Sequence, residues 1–183
     1  MKLAAGILLL SLAPVWGQIQ KPAALTAPTV QPKVARLSGS MIGELEKTFD
    51  GRVSGIGNAN EPLEILSDAR GLQLDGYGLV FTSEVSLVRA PAITPFQKEI
   101  PKLVQERVHQ LRVERLPILK AAMKEMLRNM AVAGKQLPAT QQMVLAVRLW
   151  YGAWEDTTGM PRQILMHANR QDAETGIVET EDQ

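Results

Sequence analysis

The sequence predicts an α+β fold: a mostly antiparallel sheet of roughly four strands in two hairpins, with one short and one long kinked helix packed on it. Three observations carry this. Asp75-Gly76 separates two alternating apolar runs, Leu72-Gln73-Leu74 and Tyr77 onward. Apolar residues from Val104 to Met130 recur every three or four positions. Met143 to Tyr151 is a nearly unbroken run of β-forming residues, followed by a turn and a second such run.

The amino terminus reads as a cleavable secretory signal over residues 1–17. Lys2 supplies the positive start, Leu3 to Leu12 the apolar run, and Val15-Trp16-Gly17 the residues before cleavage. That run is too short for a permanent span, which needs about 20 residues. The expected location is therefore exported, either periplasmic or extracellular. Residues 18–36, rich in Pro, Ala, Thr and Gln, read as an extended linker. Residues 37–170 form the expected single domain, and 171–183 an acidic flexible tail.

Within the domain, Ser38 and Ser40 with Glu44 make a helix-start signature. Met41, Ile42, Leu45 and Phe49 follow at helical spacing, and Gly51 marks a possible stop. This predicts a short helix of about three turns.

The Asp75-Gly76 pair suits a two-residue type I′ hairpin turn, which requires positive φ. That turn would set Leu74 opposite Tyr77, Leu72 opposite Leu79 and Arg70 opposite Phe81. The odd positions from Tyr77 to Leu87 then seal one face. A glycine loop that cradles phosphate would instead run from a strand into a helix. These glycines bend backbone.

Thr94, Pro95 and Gln97 resemble a capped helix start, and Pro101 opens a longer helix. Val104, Val108, Leu111, Leu119, Met123, Met126 and Met130 form its buried stripe. Pro117 predicts a kink or a junction of two helices, and Gly134 and Pro138 close the segment. Met143 to Tyr151 then suits a central strand, Asp156 to Gly159 a turn, and Gln163 to Ala168 its partner.

Composition narrows the chemistry. There is no cysteine, so disulfides, thiolate catalysis and Cys-based metal sites are excluded. Net charge is close to zero, which argues against a bulk binder of nucleic acid. Charge is nonetheless uneven: Lys98 to Lys135 holds nine bases against four acids, and 171–183 holds five acids and no base. That basic helix and acidic tail would meet each other or separate partners.

Specific constellations are sparse. Glu106 and His109 share a helix face, but with His167 as the only other histidine no metal set is complete. No metal or cofactor is expected. Ser83, His109, Glu84 and Asp156 contain the residue types of a hydrolytic triad without any spacing that brings them together. Lys120, Lys124 and Arg128 form a basic helical row that reads as a solvated face. The densest cluster is Trp150, Tyr151, Trp154, Glu155 and Asp156. Of these, Trp150, Trp154, Glu155 and Asp156 are the binding candidates, because aromatic residues at a rim favour recognition.

The expected function is a non-enzymatic binding or protein-interaction module of the cell envelope, its partner another envelope protein. The competing expectation is an envelope hydrolase with its site at the Trp150–Asp156 strand end, where paired acids beside aromatics resemble a sugar-cleaving site.

Overall fold

The computed structural model describes residues 35–183 except 59, 90, 92 and 94–98. The expected signal peptide, most of the expected linker and the expected Thr94-Pro95-Gln97 helix start lie outside the described residues.

The elements run α1 (Gly39–Ser54), β1 (Glu64–Leu74), β2 (Gly78–Ser86), α2 (Lys102–Ala133), β3 (Gln142–Leu149), β4 (Gln163–Asn169), α3 (Arg170–Thr175) and β5 (Glu179–Asp182). They build one five-stranded sheet in the order β1-β2-β3-β4-β5. The class is α+β as expected, and both hairpins are present. Two features differ. The β2–β3 pair is parallel, because α2 carries the chain back across the sheet before β3 begins. The acidic segment is not a frayed tail: it supplies α3 and a fifth strand antiparallel to β4.

Helix α1 starts where Ser38 caps it, its side chain accepting from Met41 N at 3.2 Å. It runs through Gly51 to Ser54, longer than expected, because Val53 is fully buried and anchors the last turn. Helix α2 is one continuous element of 32 residues, with Pro117 at an exposed position inside it. The expected junction of two helices is absent. Tertiary burial on either side of Pro117, at Arg115 and Leu119, holds the helix through the missing hydrogen bond.

Both helices cover one sheet face. Phe49 and Val53 of α1 and Leu119, Met123, Leu127 and Met130 of α2 meet Leu79, Phe81, Met143, Leu145 and Ile164 in a single core. The alternation expected for β2 holds: Leu79, Phe81, Ser83 and Val85 are buried. Among the described residues no helix packs on the opposite face of the sheet.

The hairpin register differs from the expectation by one residue. Leu74 pairs with Gly78, Leu72 with Val80 and Arg70 with Thr82. Asp75 keeps a negative φ while Gly76 has φ +75°, and Tyr77 N donates to Leu74 O at 3.1 Å. That combination fits a type II turn and not type I′. A one-residue slip moves a strand's side chains to the other face. Leu72 and Leu74 consequently lie on the helix-free face, and Gln73 faces the other way, where it bonds Leu37 N and Ala35 O. Gly78 explains the register: a Cβ there would lie 1.9 Å from Gln142 O, so only glycine lets β3 approach in parallel.

Strand β1 is a sheet edge, and α1 closes it. Glu46 accepts from Gly71 N at 2.7 Å and Asp50 from Ala69 N at 2.9 Å. Two carboxylates thus occupy amides that would otherwise recruit another strand. At the far edge β5 is short and acidic, which serves the same end. Among the described residues no helix is long and apolar enough to cross a membrane.

Candidate functional site

The buried stripe of α2 contains two residues that sequence reasoning passed over. Arg112 and Arg115 fall between Leu111 and Leu119 at positions where helical spacing puts side chains inward, and both are buried. A basic residue on an apolar stripe signals a dedicated partner, since an unpaired buried charge is costly. Arg115 donates to Leu87 O at 2.6 Å and to Glu61 O, tying α2 to the exit of β2. Burial lowers its pKa from the usual value, partly offset by Glu61.

Arg112 finds Glu155. Its Nε and Nη2 address both carboxylate oxygens, with Nη2–Oε1 at 2.8 Å, and the side chains are 0% and 1% exposed. Nη2 also reaches Ser86 Oγ at 3.2 Å, and the guanidinium stacks 4.8 Å above the Tyr151 ring. Nη1 has no partner among the described residues. Glu155 Oε1 accepts from Gly152 N at 2.8 Å, so the same carboxylate shapes the loop after β3. Tyr151 donates its hydroxyl to Pro161 O at 2.6 Å. Burial pushes the phenol up to about 12, against the opposing pull of Arg112.

The remaining candidates separate. Trp150 is 49% exposed beside the loop, whereas Trp154 is partly buried and donates to Pro91 O at 3.1 Å. Trp154 also packs on Val88, Val108 and Leu111. Asp156 is exposed and folds back on Thr158, whose hydrogen bonds hold its carboxyl below the usual range. His109 Nδ1 lies 3.0 Å from the backbone oxygen of Asp156, and Glu106 is exposed elsewhere on the helix. Ser83 faces the helices and donates to Ser67 O at 3.0 Å. Glu84 and His167 lie on the helix-free face, where His167 sits 3.5 Å from Glu181. Of the four binding candidates Trp150 and Asp156 are exposed, and Trp150 is the one exposed aromatic among them.

The basic helix and the acidic segment do meet. Lys120 pairs with Asp182 of β5, and Lys124 and Arg128 line a groove against Thr175 and Gly176 at the end of α3.

Two surfaces remain for recognition. The first is a cleft of about 560 Å³ beyond the carboxyl end of β3, lined by Arg148, Trp150, Tyr151, Glu155, Thr157 and Arg162 among others. Arg148 and Arg162 were not singled out from sequence, because the strand register alone brings them to one strand end. The second is the helix-free sheet face. Across it run Leu72, Val80 and Val144, with Thr82, Ala146 and Leu165 in the next row. Leu72 and Leu74 are 58% and 41% exposed. No protein-family model, curated protein or solved structure matches this chain.

Proposed function

We propose that this protein is a non-enzymatic binding module of an exported protein, and that it docks another envelope protein on the helix-free face of its sheet. The supporting observation is the one-sided sheet. Both long helices pack on the same face, so on the other face Leu72 and Leu74 are exposed and Val80 and Leu165 are half-buried, around a buried Val144. Large exposed apolar side chains such as Leu72 and Leu74 on a sheet face without a helix suit an interaction site. Export rests on the amino-terminal pattern of Lys2, the Leu3–Leu12 run and Gly17.

The arrangement of acids favours binding over hydrolysis. Sugar-cleaving chemistry needs two carboxyl groups flanking one bond. Glu155 is engaged by Arg112, Asp156 by Thr158, and Glu84 lies on the sheet face.

The test is affinity capture from the host envelope with the wild-type protein and Leu72→Glu as parallel baits. Leu72 is exposed, so the substitution leaves the core intact, which a thermal melt checks. A protein retained by wild type and lost with Leu72→Glu supports the reading. Equal recovery on both baits, or nothing above background on either, refutes it.

A further inference from the structure

We propose that the cleft beyond the end of β3 is a binding site for a small organic anion, its charge attracted by Arg148 and Arg162, which line the cleft from opposite sides, and its ring laid on Trp150. This site adjoins the sheet-face docking surface at Arg148, but stands or falls without that docking role.

The argument begins with position. β2 and β3 run parallel, and the chain leaves their carboxyl ends in different directions, to α2 and to the loop after β3. In open α/β sheets ligand crevices form outside the carboxyl ends of the parallel strands, and this cleft lies at the same end of the β2–β3 pair. Trp150 N donates to Val85 O at 2.9 Å, which pins the start of the loop to β2. The cleft volume of about 560 Å³ lies within the range of small-molecule sites.

Charge selects the ligand. Arg148 and Arg162 line the cleft and are exposed, and neither has a carboxylate within ion-pair distance among the described residues. Leu149 N donates to Arg162 O, and Arg148 pairs in register with Gln163. Arg148 and Arg162 therefore leave the β3–β4 ribbon on opposite faces and flank its end. Glu84 is the register neighbour of Arg148 on β2, yet the two form no ion pair. The one carboxylate of the cleft wall, Glu155, is already neutralised by Arg112 from behind. What faces the cavity is net positive. Planar guanidiniums suit carboxylate or phosphate oxygens, and the exposed indole of Trp150 offers a surface on which a ring can stack.

Rigidity completes the site. The Arg112–Glu155 pair, the Glu155–Gly152 hydrogen bond and the Tyr151–Pro161 hydrogen bond fix both walls before any ligand arrives. A preformed cleft loses little entropy on binding.

The experiment is calorimetric titration of the purified protein with glucuronate (ring and charge), acetate (charge without ring) and glucose (ring without charge), with indole fluorescence read in parallel. Glucuronate is expected to bind saturably, acetate more weakly, and glucose not at all. Arg148→Ala and Arg162→Ala should each weaken glucuronate about tenfold, the scale of one charge-assisted hydrogen bond. Trp150→Phe should abolish most of the fluorescence response, and Leu72→Glu should change nothing. The proposal is overturned if glucuronate gives no saturable heat or fluorescence change, if glucose binds as well as glucuronate, or if acetate does. It is also overturned if Lys124→Ala/Arg128→Ala, remote from the cleft, weakens binding as much as the cleft arginines. Both cleft arginines are exposed, so a melt like that of wild type separates lost binding from lost fold.

Discussion

Arg112 and Glu155, 43 residues apart in the chain, form a bidentate ion pair buried between the amino-terminal half of α2 and the loop after β3. This pair holds a loop to a helix where, among the described residues, the nearby apolar cluster is Val88, Val108 and Leu111, with Val104 and Trp154 against it. Removing one partner strands the other charge in the interior. Glu155→Ala and Arg112→Ala should each cost about 3–5 kcal/mol, and Arg112→Met/Glu155→Met should recover most of that loss. Urea unfolding of the three variants checks it, and a double variant no better than either single one would contradict the assignment.

Gly76 and Gly78 stand two residues apart and should respond very differently to alanine. At Gly76 φ is +75° with open space around it, so Gly76→Ala should cost about 1–2 kcal/mol of backbone strain. At Gly78 the added Cβ would collide with the backbone of Gln142. Gly78→Ala should cost more than about 4 kcal/mol or prevent folding, since the parallel pair cannot form without displacing β3. Chemical denaturation and soluble yield measure the contrast.

Asp50 makes the closed edge of β1 sensitive to pH. Its carboxyl is held above the usual range, chiefly by burial, against the opposing hydrogen bond from Ala69. The folded state thus binds this proton more tightly than the unfolded chain does. For this group, stability is greatest below the ordinary carboxylate value and declines as pH rises through the raised one. Asp50→Asn keeps an oxygen for the Ala69 amide and removes the charge. It should melt above wild type at pH 7, with the gap closing as pH falls toward about 4. Asp50→Ala should melt below both, because the amide of Ala69 loses its acceptor.

Tyr151 should titrate late. Its phenol is raised from 10.0 to about 12 by burial. The proton is again held more tightly in the folded state, so the associated stability is present below pH 10 and is lost as pH climbs toward 12. Ultraviolet titration should show one tyrosine step near pH 12, absent in Tyr151→Phe. That variant should lose about 1 kcal/mol with the hydrogen bond to Pro161. If the step removed by Tyr151→Phe lies at the ordinary tyrosine value, the ring is not desolvated beneath Arg112.

Much of the fold was legible from local chemistry. Ser38 caps its helix, Leu79, Phe81 and Val85 alternate inward, and Met123, Met126 and Met130 line the buried stripe. The elements were found because each has a strong period or a cap of its own. The acidic segment was misread because Glu179, Glu181 and Asp182 have no apolar period, and its strand exists only through pairing with β4. Arg112 and Arg115 were missed although their spacing was visible, since polarity was read as exposure. Of the cleft, Trp150, Glu155 and Tyr151 were noticed as one cluster, while Arg148 and Arg162 were not.

Residue order and side-chain chemistry were therefore enough for the α+β class, the two hairpins and the absence of thiol chemistry. Packing alone set β2 parallel to β3, turned Leu72 to the open face and hid Glu155 beneath Arg112. The physical reason is range. Caps, turns and periodicity act within a few residues, whereas the β2–β3 pairing and the Arg112–Glu155 ion pair join groups 43 residues apart or more, whose meeting no local pattern encodes.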